Sequence, residues 1–240
     1  MRRFFAEPGQ FVDGIVSLSP VETRHLRDVL RLQPGAEVSV FDGDGNEFSA
    51  VVETVSKSGS ILRVTKRSVP AAAESGLDLH LVAALLKGEK FDLVVQKAVE
   101  LGVNRLTPLV TRRCDVKIKD PRSRLERWER VALEACKQSG RARLMKIDEA
   151  VDLAEFAKRP GEIAAAILFS ERGGQKLDTV SVGKKMTAVV GPEGGWEDSE
   201  LDAARSAGAQ VVTLGGRILR AETAAIAITA ILQHRFGDVN

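Results

Sequence analysis

Two glycine-rich segments constrain the fold of this chain more than any other feature. Residues 191–196 read Gly-Pro-Glu-Gly-Gly-Trp, and residues 214–220 read Leu-Gly-Gly-Arg-Ile-Leu-Arg. Each segment follows an apolar run typical of a buried strand and precedes a stretch with helical periodicity. Strands that alternate with helices predict an α/β domain with a mainly parallel sheet, and such sheets bind ligands where their strands end.

The same alternation extends over residues 77–240. Apolar runs predict strands over residues 77–86, 105–110, 162–170, 185–191 and 209–214. Helical periodicity predicts helices over residues 89–103, 121–139, 198–207 and 221–235. Gly102 is expected to end the first of these helices, because glycine adopts the left-handed backbone of a helix C-terminus. Cys136 lies near the apolar side of the second helix, which favours a place in the core.

The first 70 residues carry a different pattern. A short helix is predicted over residues 19–32, begun by Ser19 or Thr23, with an apolar stripe of Leu26, Val29 and Leu30. Alternating runs predict hairpin-connected strands over residues 37–41, 47–55 and 61–69, and therefore a small β-sheet or barrel. We expect a β-rich domain at 1–70, a linker at 71–76 and the α/β domain at 77–240.

The turn between the first two of these strands reads Asp42-Gly-Asp-Gly-Asn46. Its acidic residues superficially suggest a calcium loop, but the spacing lacks the distal glutamate that such a loop requires. The sequence therefore favours a hairpin turn.

Several classes of protein are disfavoured by composition. The apolar runs are far shorter than the roughly 18 residues that a membrane helix needs, and the N-terminus lacks the apolar region of a secretory signal. The two cysteines and three well-separated histidines argue against a disulfide framework and against a structural metal site. We expect a reduced, cytoplasmic protein without a metal.

Positive charge is concentrated in one part of the chain. Residues 105–146 contain 13 basic and 5 acidic residues, a sum of +8 in a protein whose formal net charge is +2. A local cationic block of this kind suggests a polyanionic partner such as nucleic acid, although a solvated helix face is the alternative. Arg24, Arg27 and Arg31 are spaced to share one face of the predicted N-terminal helix, which adds a second basic surface.

The two glycine-rich segments lack the signatures of known phosphate-binding loops. No Gly-Lys-Ser/Thr follows either of them, and neither has the Gly-x-Gly-x-x-Gly dinucleotide fingerprint. They suit a ligand that is recognised by backbone groups, such as an adenosine without a phosphate. Two tight turns without a ligand fit the spacing equally well.

Four motifs in order resemble the RsmE family of SPOUT-class RNA methyltransferases, which methylate N3 of a uridine in small-subunit (16S) ribosomal RNA. They are KGEKFDLVVQKAVELGV (87–103), EACKQSGR (134–141), GPEGGW (191–196) and LGGRILRAETAA (214–225). The resemblance covers nearly the whole chain. It implies a PUA-like β-barrel RNA-binding domain followed by a SPOUT α/β domain with a deep C-terminal trefoil knot, S-adenosylmethionine as cofactor, and a homodimer.

The resemblance also implies which residues form the site. The cofactor contacts carried onto this chain are Leu168, Phe169, Gly191, Pro192, Glu193, Gly194, Gly195, Leu214, Gly215, Ile218, Leu219 and Arg220. The charge distribution, and not the resemblance, gives the basic residues expected to contact RNA: Arg24, Arg27, Arg31, Arg112, Arg113, Arg127, Arg130, Arg141 and Arg143.

The catalytic residues are less determined than the cofactor contacts. Because the N3–H of uridine is a weak acid, the reaction needs a group that takes the proton or stabilises the anion. The candidates near the glycine-rich segments are Glu193, Glu222, Arg217 and Arg220. Arg220 is favoured for stabilising the uridine anion or orienting the nucleobase, and Glu222 for orienting Arg220 or acting as the general base. Alternatively, Glu222 only caps the last helix and Arg220 only anchors a phosphate. An RNA-binding assembly factor and a methyltransferase with another target, such as a ribose hydroxyl, remain as other functions.

Overall fold

The computed structural model describes residues 2–180 and 183–239. Two compact units divide the chain. The first comprises Met1–Glu74 together with Cys136–Leu144, and the second comprises Ser75–Ala135 together with Met145–Asn240. No helix in the described ranges is both long and apolar enough to cross a bilayer.

The first unit is built on a six-stranded sheet. Its strands are β1 (Arg3–Phe5), β2 (Phe11–Val12), β3 (Ile15–Ser17), β4 (Glu37–Phe41), β5 (Glu47–Val55) and β6 (Ser60–Ser68). They lie in the order β1-β4-β5-β6-β3-β2, in which β1 pairs parallel to β4 and the other pairs are antiparallel. Alternate residues of these strands point into one apolar core, to which Phe4, Val38 and Leu62 contribute fully buried side chains.

The Asp42–Asn46 segment forms the hairpin turn that the sequence favours. The carboxylate of Asp42 accepts hydrogen bonds from the backbone N–H groups of Asp44 and Asn46, at 2.8 and 3.0 Å. Aspartate favours turns because its side chain can satisfy the backbone donors that follow it.

The predicted helix at 19–32 is shorter and less regular than expected. Ser19 caps α1 (Pro20–Arg24) by accepting a hydrogen bond from the N–H of Glu22, as predicted, and one π-helical turn follows over His25–Val29. The predicted apolar stripe is wrong at Val29, which is 66% exposed. Arg31 lies beyond the helix in left-handed backbone with φ of 51°, so the prediction of one shared helical face for the three arginines is also wrong.

The second unit contains a parallel sheet and most of the helices. Its strands are β7 (Asp78–Ala84), β8 (Arg105–Val110), β9 (Lys146–Ile147), β10 (Val151–Asp152), β11 (Ala166–Phe169), β12 (Lys185–Val190) and β13 (Gln210–Val212). Its helices are α2 (Lys90–Glu100), α3 (Pro121–Ser139), α4 (Leu153–Ala157), α5 (Pro160–Ile163), α6 (Asp198–Ser206) and α7 (Ala221–Phe236). The last residues of α3 belong to the first unit.

All strands of this second sheet run in the same direction. Their order is β10-β8-β7-β12-β11-β13, with β9 on β8. The carboxyl ends of β11, β12 and β13 therefore meet at one edge, where both glycine-rich segments begin. The predicted α/β fold with a parallel sheet is confirmed, and Gly102 follows α2 with the expected positive φ of 76°.

One predicted strand is too long. Residues 162–170 were expected to be extended, but Pro160–Ile163 form the short helix α5 and the strand begins only at Ala166. Proline at the first helical position favours this turn because its φ is already helical. Ile163 is apolar because it is buried in α5, where it is 1% exposed. In the sequence it adjoins the apolar residues of the strand, and this made the predicted strand too long.

A buried polar network lies at the amino ends of β7 and β8, away from the glycine-rich segments. His80 Nε2 lies 2.7 Å from the Thr107 hydroxyl, which donates to Asp148, and Arg105 Nε donates to the same carboxylate at 2.6 Å. Glu162 accepts from Arg105 at 3.2 Å. Burial lowers the pKa of His80 to about 4.

Candidate functional site

A cavity of about 280 Å³ lies at the carboxyl ends of β11, β12 and β13. Both glycine-rich segments contribute to its wall, together with the first turns of α7. All of the predicted cofactor-binding residues line it except Leu168, Gly215 and Arg220. The side chain of Leu168 instead belongs to the apolar core beneath the cavity. The structure thus brings together two segments that are separated by about twenty residues in the sequence.

Trp196 explains why the first segment begins with glycine. Its indole N–H donates to the carbonyl of Phe169 at 2.9 Å, which joins the ends of β11 and β12. A Cβ atom on Gly191 would lie 2.8 Å from the Trp196 ring, closer than real Cβ contacts allow. The tryptophan therefore fits only against a residue without a side chain.

The other two glycines of this segment are constrained in different ways. The carbonyl of Gly194 accepts a hydrogen bond from Arg113 at 3.1 Å, and a Cβ there would lie 3.0 Å from the Cβ of that arginine. Gly195 has a φ of 69°, which L side chains rarely adopt. Backbone groups of this segment can therefore approach a ligand closely.

The second segment closes the other side of the cavity with apolar side chains. Ile218 and Leu219 line it although they are 88% and 42% exposed. Arg220 lies at the N-terminal cap of α7 and is exposed. The mixture of apolar side chains and backbone groups in this wall fits a ligand such as an adenosine.

An ion-pair cluster joins three elements beside this cavity. The ammonium of Lys90, at the start of α2, contacts the carboxylate of Glu193 and lies 3.9 Å from Oε1 of Glu222. The Glu222 side chain is 13% exposed, and its Oε2 is buried without a hydrogen-bond partner within the described residues. An unpaired buried carboxylate oxygen is costly, so it is a candidate acceptor for a ligand donor.

Sequence reasoning did not identify Lys90, Trp196 and Glu171 as site residues. Trp196 ends the GPEGGW motif, and its size beside two glycines is the signal that points to a packing role. Lys90 lies 103 positions before Glu193, and no local pattern connects the two. Glu171 lies two residues beyond the end of β11, so the rule that ligands bind at strand ends could have found it.

The predicted RNA-binding arginines lie in two groups. In the first unit, Arg24 and Arg31 are exposed, and Arg27 pairs with Asp28 at 2.6 Å. Arg143 is also exposed in that unit, but Arg141 is 3% exposed and holds Glu74 through two nitrogens. Because Glu74 already occupies its guanidinium, Arg141 is not among the residues that we propose to contact phosphate.

The second unit carries the remaining basic residues of this set. Arg112 donates to Glu197 at 3.2 Å, and Arg127 Nε donates to Asp92 at 2.8 Å. Arg130 Nε donates to the carbonyl of Glu126. The arginine side chains are exposed, so water screens these pairs and weakens them. A phosphate can compete for such guanidinium groups.

Comparison with known proteins identifies the family. Residues 73–233 match a family model described as an RNA methyltransferase domain, and residues 22–65 match one described as an RNA methyltransferase PUA domain. The ribosomal RNA small subunit methyltransferase E of Synechocystis is 33% identical over 92% of this chain and 74% of its own length. The chain belongs to the ribosomal RNA small subunit methyltransferase E family. This confirms the resemblance stated from the four motifs.

Other members of the family support the same assignment. The methyltransferase E of Mycobacterium tuberculosis is 32% identical over 86% of this chain and 82% of its own length. The crystal structure of the Neisseria gonorrhoeae methyltransferase E bound to S-adenosyl methionine covers 100% of both chains, with 32% identity and a TM-score of 0.92. The expected PUA-like N-terminal domain, the α/β methyltransferase domain and the S-adenosylmethionine-dependent class of enzyme are therefore confirmed.

Proposed function

We propose that this protein transfers the methyl group of S-adenosylmethionine to N3 of a specific uridine in 16S ribosomal RNA. The observation that carries the proposal is the cavity formed by both glycine-rich segments, in a chain whose relatives are named for small-subunit rRNA methylation. Backbone groups and apolar side chains form most of the wall of this cavity. Such a wall suits adenosine and leaves an open side for a second substrate.

The cofactor would be held by residues 191–195 and by the apolar side chains of the second segment. When bound, S-adenosylmethionine supplies an electrophilic methyl group on a positively charged sulfur. Glu193 and Glu171 on the wall of the cavity are paired with Lys90 and Arg172, and their carboxylates can also accept hydrogen bonds from the amino and hydroxyl groups of the cofactor. Gly215 and Arg220 do not line the cavity, but they lie in the same segment, and we propose that they also contact the cofactor. No metal is needed for any of these contacts.

Two residues of the chain are proposed to act on the base. The exposed guanidinium of Arg220 can stabilise negative charge that develops on the uridine oxygens as N3–H is lost. Glu222 offers a buried carboxylate oxygen without a partner in the described structure, which can accept that proton or orient Arg220. The ammonium of Lys90 lies 3.9 Å from Oε1 of this carboxylate and also contacts Glu193.

Finer features of the proposal follow from the family and from the sequence. We propose that the C-terminal segments form a trefoil knot, that two copies form a homodimer, and that the substrate is the small ribosomal subunit in the cytoplasm. The functional boundaries are proposed at 1–70 for the PUA-like domain, 71–76 for the linker and 77–240 for the methyltransferase domain.

Nucleoside mass spectrometry of small-subunit rRNA tests the reaction directly. Cells that lack this protein should lack one 3-methyluridine, and its gene supplied in trans should restore it. Loss of a ribose methylation instead would indicate another target. Unchanged rRNA nucleosides, with a defect in subunit assembly, would indicate a binding factor without catalysis.

Arg220→Ala tests the proposed catalytic role. Removal of the cation should lower kcat by about 100-fold or more, as loss of a single charge-stabilising donor does in other enzymes, while RNA affinity stays largely unchanged. The measurement is transfer of a labelled methyl group to small-subunit particles beside RNA filter binding. Arg205→Ala, which removes another exposed arginine from α6, should retain activity. Equal losses of affinity and rate in Arg220→Ala would indicate a phosphate anchor.

A further inference from the structure

A second cavity, of about 500 Å³, lies between the segment that follows β7 and the first half of α3. Five cationic side chains line it, whereas only two carboxylates, those of Asp92 and Asp120, do so. The cationic residues are Lys117, Lys119, Arg124, Arg127 and Arg130. The lining therefore has a formal charge of +3. A concave surface with such an excess of one sign concentrates ligands of the opposite sign.

The positive charge of this cavity is not neutralised internally. Arg127 pairs with Asp92, but Lys117, Lys119 and Arg124 form no ion pair within the described residues. The three side chains come from two elements, since the lysines precede α3 and Arg124 lies in its first turns. Asp120 lines the cavity among them but forms no ion pair with any of the three, so these cations are available to an external anion.

Two packed aromatic rings lie beneath one of these cations, Arg124. The guanidinium of Arg124 lies 5.9 Å from the ring centre of Trp128, which in turn packs against Phe91 with ring centres 4.7 Å apart. Both rings are almost fully buried, at 3% and 2% exposure. An arginine on an aromatic face loses little further freedom when it binds an anion.

The second cavity, called the cationic cavity below, adjoins the cavity at the carboxyl ends of β11, β12 and β13, called the cofactor cavity, within the second unit. Gly88 and Phe91 line the cationic cavity, and Lys90 between them contacts Glu193 in the wall of the cofactor cavity. The segment that contains Lys117 and Lys119 follows the carboxyl end of β8, at the same edge of the sheet as the ends of β11 and β12. One polyanionic strand could therefore reach both cavities.

We propose that this cationic cavity binds a backbone phosphate of the RNA, close in sequence to the nucleotide whose base enters the cofactor cavity. The proposal deepens the proposed function and rests on it. Phosphate contacts fix the register of a nucleic acid without reading its sequence. A phosphate held here would align the strand, so that one base in the whole substrate is presented to Arg220 and Glu222.

The test is a double variant, Lys117→Ala with Lys119→Ala, in the full-length protein. Each lost phosphate contact should lower the slope of log affinity against log salt concentration by about 0.7 to 0.9. Because the cavity holds one phosphate, filter binding to small-subunit rRNA at several salt concentrations should give a slope lower by about 0.7 to 0.9. The KM for RNA should rise roughly tenfold at physiological salt, while kcat and S-adenosylmethionine affinity stay unchanged.

A matched control is available at the opposite end of the sheet. Lys184→Ala with Lys185→Ala removes the same two charges from an exposed site at the start of β12. The proposal is overturned if this control lowers the salt slope as much as the cavity variant does. It is also overturned if the cavity variant binds RNA like the unaltered protein.

A second measurement separates the cavity from the methylation reaction. Line broadening of inorganic phosphate in ³¹P NMR should be present at millimolar concentration for the unaltered protein and reduced in the cavity variant. RNA should displace this phosphate, whereas a polyglutamate of equal charge should do so far less well. Equal displacement by polyglutamate would contradict the RNA assignment and indicate an acidic protein partner. If rRNA methylation proves absent while these binding effects persist, the proposed function fails and the phosphate site stands.

Discussion

Gly195 is the residue at which a single side chain should do most harm to cofactor binding. Its φ of 69° disfavours any L side chain, and a Cβ there would lie 3.1 Å from the carboxylate of Glu171. Because both Gly195 and Glu171 line the cofactor cavity, a larger side chain must occupy the space of the ligand or displace its wall. The backbone conformation and the ligand space therefore require glycine for independent reasons.

We predict that Gly195→Arg abolishes S-adenosylmethionine binding, measured by calorimetry as an affinity loss of at least 100-fold. Gly59→Arg is the matched control, since Gly59 has open space around it in the first unit. A chelator should leave binding by the unaltered protein unchanged, because the proposed contacts include no metal. Binding that survives Gly195→Arg would place the cofactor elsewhere, and binding that requires a metal would contradict the proposed contacts.

At the scale of elements, β7 and β8 are held together at their amino ends by the buried network around His80. The imidazole is 8% exposed, and burial lowers its pKa from 6.5 to about 4. The neutral ring contacts Thr107, while Arg105 joins Asp148 to Glu162 across α5 and the strand ends. Between about pH 4 and pH 6.5, the folded state therefore binds fewer protons at His80 than the unfolded chain does.

This difference predicts how the stability of the second unit depends on pH. Stability from His80 is fully present above pH 6.5 and is lost as the pH falls towards 4, because the unfolded chain gains the proton first. Between pH 7.5 and 5 the expected loss in the free energy of unfolding is about 2 kcal/mol. Urea unfolding followed by tryptophan fluorescence measures it, since both tryptophans lie in this unit.

The histidine variants decide whether this loss belongs to His80. His80→Gln should remove most of the pH dependence in that interval, and His234→Gln, which removes an exposed histidine, should leave it intact. An unchanged pH dependence in His80→Gln would assign the effect to other groups.

The helix α7 bears on the proposed homodimer. Ala225, Ile228 and Leu232 bury one side of it, whereas Ile231 is 37% exposed and Leu93 on the neighbouring α2 is 39% exposed. Apolar side chains exposed on two packed helices suggest a surface that a second copy covers.

Light scattering at micromolar concentration should give the mass of a dimer. Ile231→Glu should shift it towards the monomer, and Thr223→Glu, at another exposed position of α7, should not.

The boundaries of helices and strands could be predicted from the sequence where local residue patterns mark them. They could not be predicted where tertiary packing sets them. The limits of β8 and α3 agree with the sequence because proline, alternation and helical periodicity mark them locally. The π-helical turn at His25–Val29 is not marked in this way, and it is what moved Val29 and Arg31 out of their predicted positions. The two glycine segments were predicted from sequence, but the contact of Lys90 with Glu193 depends on tertiary structure alone.

At the scale of the whole molecule, each compact unit carries its own basic surface, and we propose that both surfaces bind RNA. The first unit exposes Arg24 and Arg31, with Arg27 paired to Asp28 between them in sequence. The second unit offers the cationic cavity and the exposed arginines 112, 113, 127 and 130. If both surfaces bind the same RNA molecule, the phosphates that each one neutralises add to a single salt dependence.

We predict that Arg24→Ala with Arg27→Ala weakens RNA binding and lowers its salt slope by about 1 to 2, while S-adenosylmethionine affinity is unchanged. Combination with Lys117→Ala and Lys119→Ala should add the two decreases, because the surfaces lie in different units and contact different phosphates. Filter binding with small-subunit rRNA over a range of salt concentrations measures both effects. If the Arg24 and Arg27 changes leave affinity and slope untouched, the second unit alone holds the RNA. A combined decrease no larger than that of either pair would instead mean that the two surfaces share the same phosphates.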